Sequence, residues 1–137
     1  MAMKSMSLVA ERMNNAAEAV FSRTLDQASK KIRKIVKSDL AGTIRKLKGK
    51  AGPDLIIFGS GTAAAELAQK ELIGEYQIAQ IPLVLGSGRT MFDGMKQQQN
   101  LKLTKSRTFT NGNIFYVTSR SREADHLILF SPLDVSA

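Results

Sequence analysis

Four apolar residues, Leu55-Ile56-Ile57-Phe58, stand between Gly52-Pro53-Asp54 and Gly59-Ser60-Gly61. A run this short is too brief for a helix, and with turn residues on both sides it predicts a buried strand. The chain then bends at Gly59. Thr62 opens an alanine-rich segment in which Ala64, Leu67 and Ala68 recur on one helical face, its hydroxyl placed to cap free backbone N–H groups. Strand, glycine turn and helix in that order aim unpaired N–H groups and the positive end of a helix at one point, with no side chain at Gly59 or Gly61 to block it. A phosphate fits there. Gly-x-Gly after a strand also occurs wherever a chain must simply turn sharply, so the motif alone does not separate the two readings.

A length of 137 residues with 43% hydrophobic content suits one domain with a core. Cysteine is absent, which excludes disulfides and thiolate metal sites, and a single histidine, His126, gives no His-rich cluster, so metal chemistry is not expected. No apolar run is long enough to span a bilayer, and Met1 to Ala10 lacks the apolar core of a secretory signal. A soluble, cytoplasmic protein is expected. The net charge of +8, from 20 Lys+Arg against 12 Asp+Glu, attracts anions in general. It does not choose among them. The cations are spread along the chain without interleaved aromatics and there is no tryptophan, so the base-stacking signature of a single-strand binder is missing and nucleic acid is not an expected partner.

Ser5 to Asn15 reads as a short helix, with Leu8, Ala10 and Met13 apolar. Glu18 to Leu25 reads as a strand whose end carries Ser22, Arg23 and Thr24; an arginine fork with two hydroxyls suits a phosphate, as the same residues suit a strand end facing water. Lys31 to Lys37 is expected as an edge strand. Ser38-Asp39 caps a helix with Leu40, Ile44 and Leu47 on one face and Arg45, Lys46, Lys48 and Lys50 toward solvent. Glu75 to Leu85 predicts a long strand with a bulge or local edge at Pro82, and strand, helix and strand then form a βαβ unit with its strands parallel. A second Gly-Ser-Gly, Gly86-Ser87-Gly88, is followed by a loop through Gly94. Asn111-Gly112 marks an antiparallel hairpin. Ala124 to Phe130, helix or strand, is ended by Pro132, and His126 beside it reads as structural or exposed.

These pieces resemble the dihydrofolate-reductase-like family, specifically the group similar to the C-terminal reductase domain of bifunctional riboflavin-biosynthesis deaminase-reductases. The resemblance is carried by Val20 to Leu25, the Asp39 to Lys48 helix, Asp54 to Ala68, Ile73 to Gly88, and Lys102 to Phe115, and spans about residues 6–118, leaving 119–137 as a divergent tail. It implies an α/β fold, a mixed sheet with flanking helices and a hairpin near the C-terminus. It also implies an NADPH-dependent reductase that passes a hydride to a pterin- or aminopyrimidine-like small molecule. Carried over by position, Gly59, Ser60, Gly61 and Thr62 hold the cofactor diphosphate, Phe58 lies near the nicotinamide, and Ser22, Arg23 and Thr24 take the phosphate that distinguishes NADPH from NADH.

Two departures shape the expectation. The family normally begins with a central strand, a substrate loop and a first cofactor-binding helix ahead of the region matched here, so the sheet is expected to lack two inner strands and the chain alone is not expected to turn over substrate. The riboflavin reductases also often carry an acid immediately before the glycine turn, where this chain has Phe58, which leaves their aminouracil substrate as an analogy. Hydride chemistry belongs to the cofactor, so no general acid is assigned; Glu75, Tyr76 and Asp93 read as surface or strand-capping groups. The alternative to a reductase is a non-catalytic oligomerisation or interaction module whose exposed sheet edges are completed by another copy. A homo-oligomer is expected on either reading.

Overall fold

The computed structural model describes residues 2–22, 24, 32–58, 61–120 and 127–134. They divide into two compact units, Met1–Leu40 and Ala41–Ala137. In the first, helix α1 (Ala2–Asn15) precedes strands β1 (Glu18–Phe21) and β2 (Ile32–Val36). The helix starts three residues before the expected Ser5, and β1 stops at Phe21 instead of Leu25. β1 and β2 pair in parallel, and the Ser22 amide extends the pairing by donating to the Val36 carbonyl at 3.1 Å.

The second unit holds most of helix α2 (Leu40–Lys48), then β3 (Leu55–Phe58), α3 (Gly61–Gln69), β4 (Glu75–Ile81), β5 (Leu101–Thr108), β6 (Ile114–Arg120) and β7 (Leu127–Asp134). Five strands make one mixed sheet in the order β3-β7-β4-β6-β5, with β3, β7 and β4 parallel and β4, β6 and β5 antiparallel in turn. β3 and β4 are therefore parallel, as expected of a βαβ unit, yet they are not neighbours. β7 lies between them. The tail that the resemblance left unassigned, in which Ala124 to Phe130 reads as helix or strand, thus supplies an inner strand of the sheet.

Pro132 does not end β7. Among the described residues β3 pairs with β7 only as far as Phe130, whereas β4 follows it from Ile128 to Asp134, so Pro132 sits where the strand has one described neighbour. A missing N–H is tolerated in such a place. Pro82 has the opposite outcome: β4 stops at Ile81, and Leu83, Val84 and Leu85 form an exposed loop where a strand was expected.

Strand register sets Ile57, Leu129 and Tyr76 side by side, and Leu129 and Tyr76 are fully buried with Leu127, Ile73 and Leu67. α3 contributes Ala64, Ala65, Leu67 and Ala68 to this core, the face its alanine spacing predicts. Small side chains let the helix approach closely, and Leu67 supplies the bulk; its truncation to alanine costs about 2–5 kcal/mol. In α2, Ala41 and Ile44 are buried. Lys48 is not turned to solvent as expected; its Nζ donates to the Leu72 carbonyl at 2.8 Å.

Candidate functional site

β3 delivers the chain to the C-terminal end of the parallel strands, where anion sites of open α/β sheets form. Gly59 and Ser60 lie outside the described residues. α3 already starts at Gly61, so Thr62 is its second residue and not its cap, which corrects the capping role expected of it. Both Gly61 and Thr62 are exposed, and Phe58, the last residue of β3, is 55% exposed. The first two residues of the helix are thus exposed, as is the aromatic ring that ends β3.

The wall of this site is the long connection between β4 and β5, of which the sequence predicts Gly86 to Gly94 as a loop. Residues 82–100 contain neither strand nor helix, an uncommon length for a connection without function. They run along α3 from its first residue to its last turn. The carbonyls of Met91 and Thr90 come within 3.6 and 3.9 Å of the point where a side chain on Gly61 would begin. Phe92 meets Tyr76 edge-on with ring centroids 5.9 Å apart, the Lys96 amide donates to Gln69 Oε1 at 2.9 Å, and Gln99 donates to the Ala68 carbonyl. The signal was present in sequence: parallel β3 and β4 end at the same edge, so the loops that leave them are neighbours.

Gly61 has no local need to be glycine. Its φ is outside the left-handed region, and a Cβ would meet the neighbouring carbonyls at ordinary contact distance. By contrast Gly86, at φ 77, and Gly94, at φ 84, take a backbone that other residues avoid. At Gly61 the missing side chain leaves room above a helix terminus, a cradle that a methyl group would partly fill.

In the first unit, Ser22 is half-buried and Thr24 exposed, and the Thr24 amide donates to Ser22 Oγ at 3.3 Å while the two hydroxyls lie 3.5 Å apart. The two hydroxyls expected at the end of β1 are thus together. Arg23 between them lies outside the described residues, as does His126. Of the polar residues read as surface groups, Asp93 is exposed and Glu75 accepts from Gln77 Nε2 at 2.7 Å. Tyr76 is different. It is 1% exposed, and burial raises its pKa from 10.0 to about 12, with Arg120 acting in the opposite direction. It is a core residue, and the surface reading is corrected. A hollow of about 340 Å³, lined by residues 48–53 and Leu55, opens at the other end of β3.

Known proteins place this arrangement. Residues 4–115 match the model of the RibD C-terminal domain. The uncharacterized protein YyaP of Bacillus subtilis (strain 168) is 30% identical over 93 residues, which are 68% of this chain and 49% of YyaP; the chain spans about half the length of that relative. A solved protein from Shewanella sp. PV-4, named for riboflavin biosynthesis, superposes with a TM-score of 0.67 over 87% of this chain and 71% of its own, at 21% identity, a likeness of fold. Among the described residues no helix is long and apolar enough to cross a membrane. The chain belongs to the RibD C-terminal domain family and has its dihydrofolate-reductase-like α/β fold.

Proposed function

We propose that this chain is an NADPH-binding, reductase-type domain acting in the cytoplasm on a pterin- or aminopyrimidine-like small molecule. The carrying observation is Gly61: a glycine that backbone and packing do not require, at the exposed start of a helix, at the C-terminal end of parallel strands. The fold family supports the cofactor class. On this reading the amides of the turn into α3, with Gly59, Ser60 and Thr62, hold the diphosphate. Phe58 offers an apolar surface to the nicotinamide, and Ser22, Arg23 and Thr24 bind the extra phosphate through a guanidinium and two hydroxyls. The bound cofactor supplies the hydride. The chain's own residues orient it, and loop 82–100 limits access of water from one side. Mixing the purified chain with NADPH and with NADH tests the reading: a shift in nicotinamide fluorescence with preference for NADPH is expected, and no shift with either removes the cofactor assignment.

A second reading, a non-catalytic module that works as a homo-oligomer, is favoured by two exposed apolar features: Leu83, Val84 and Leu85, at 51, 78 and 46%, in the segment after β4, and Ile56, 54% exposed, on β3 at the end of the described sheet. Nucleotide binding, measured on the oligomer that light scattering sizes, separates the two. A stable oligomer that ignores both nucleotides supports the second reading, and nucleotide binding supports the first.

A further inference from the structure

Among the described residues the sheet has a second free edge, and its chemistry is unlike that of β3. β5 has β6 on one side only, and all eight of its residues are exposed. Pairing with β6 shifts by one residue between Leu103 and Lys105. That bulge changes which side chains share a face. Lys102, Lys105 and Arg107 stand opposite Ser119, Val117 and Phe115, alternate residues of β6, so all three cations fall on one face. An unbroken strand would have placed Lys102 on one face and the other two on the opposite one. Leu101 and Leu103, opposite Arg120 and Thr118, occupy the second face and are 39 and 57% exposed. The Arg107 guanidinium stacks 4.7 Å above the Phe109 ring. From Gly94 to Arg122 the chain has six Lys or Arg and no Asp or Glu. The ribbon holds no acid of its own to answer these charges.

Lysines and a bulge on an edge discourage pairing with another copy, because a second β5 brings cations to cations. The same charges favour a strand that carries acids, so rejection of one partner is selection of another. We infer that the free edge of β5 is a docking site for an extended acidic segment of a partner protein, one in which Asp or Glu alternates with apolar residues, added to the five-stranded sheet as its next strand. Backbone bonds to the edge supply affinity, the acids meet Lys102, Lys105 and Arg107, and the apolar residues cover Leu101 and Leu103. A nucleic-acid strand would use the cations and leave the leucines and the backbone edge unused. The inference does not depend on the cofactor reading.

The test is fluorescence anisotropy of a labelled eight-residue peptide, the length of β5, of alternating Glu and Val, titrated with the whole chain. Three competitors accompany it: the same composition in block order, the alternating peptide N-methylated at every second Val, and oligouridylate. The alternating peptide is expected to bind roughly tenfold more tightly than each of them. Charge reversal by Lys102→Glu, Lys105→Glu and Arg107→Glu together should move the preference to an alternating Lys–Val peptide. Equal binding of the block or methylated peptide, preference for oligouridylate, or no binding at all overturns the inference. The peptide comparison uses the unaltered chain, so it decides the matter even if the reversed variant does not fold.

Discussion

The Tyr76 hydroxyl donates to Gln99 Oε1 at 3.0 Å, and Gln99 Nε2 in turn donates to the carbonyl of Ala68. One side chain thereby ties β4, the long connection and α3 together. Tyr76→Phe should remove about 0.5–1.5 kcal/mol of stability at neutral pH, read from the urea midpoint.

The same residue sets an alkaline limit. Its pKa in the folded chain, about 12, lies above the 10.0 of an exposed tyrosine, so the unfolded chain loses this proton first. The stabilisation is fully present below pH 10 and is lost as pH climbs through 12, by roughly 2–3 kcal/mol in all. Urea unfolding at increasing pH should show the unaltered chain losing its advantage over Tyr76→Phe in that window; a constant difference would contradict it.

Lys48 gives a pH effect of the other sign. Burial, and then the charge of Arg120, lowers its pKa below 10.5, so the unfolded chain binds this proton more readily and stability rises as pH climbs from the lowered value toward 10.5. Lys48→Met should abolish that rise. It should also cost about 0.5–1.5 kcal/mol near neutral pH, because the Leu72 carbonyl loses its donor.

Gly112 closes the β5–β6 hairpin at φ 90, where its amide donates to the Phe109 carbonyl at 3.0 Å and a Cβ would lie 3.2 Å from Pro82 Cγ. Gly112→Ala combines backbone strain with crowding and should destabilise by about 1–3 kcal/mol. Thermal unfolding measures it.

Much of this fold was legible because short-range signals agreed. Apolar runs framed by Gly and Pro gave β3, alanine spacing gave the buried face of α3, and Asn111-Gly112 gave the hairpin. What escaped depended on partners far along the chain. Pro132 breaks a strand only if its N–H is needed, and the number of neighbours at that point is a property of the sheet. The order β3-β7-β4 was equally hidden, since nothing local says which strand enters a gap. Lys48 reads as a solvated cation until the Leu72 carbonyl is placed beside it. At the candidate site, Gly61 and Phe58 were read from the glycine turn, whereas the approach of Thr90 and Met91 required the parallel ends of β3 and β4 to be set side by side.

Arg23→Ala should weaken NADPH by roughly tenfold or more while leaving NADH little changed, since it removes charge that only the extra phosphate uses. Equal loss for both nucleotides would take Arg23 out of the selective role.

Titration of NADPH into the unaltered chain and into Gly61→Ala, with thermal unfolding of each alongside, tests the anion cradle most directly. A methyl group at residue 61 makes only ordinary contacts with Met91 and Thr90, so the variant should melt at or slightly above the temperature of the unaltered chain while its affinity for NADPH falls roughly tenfold. Undiminished NADPH binding by a folded Gly61→Ala would contradict a dinucleotide site at the start of α3.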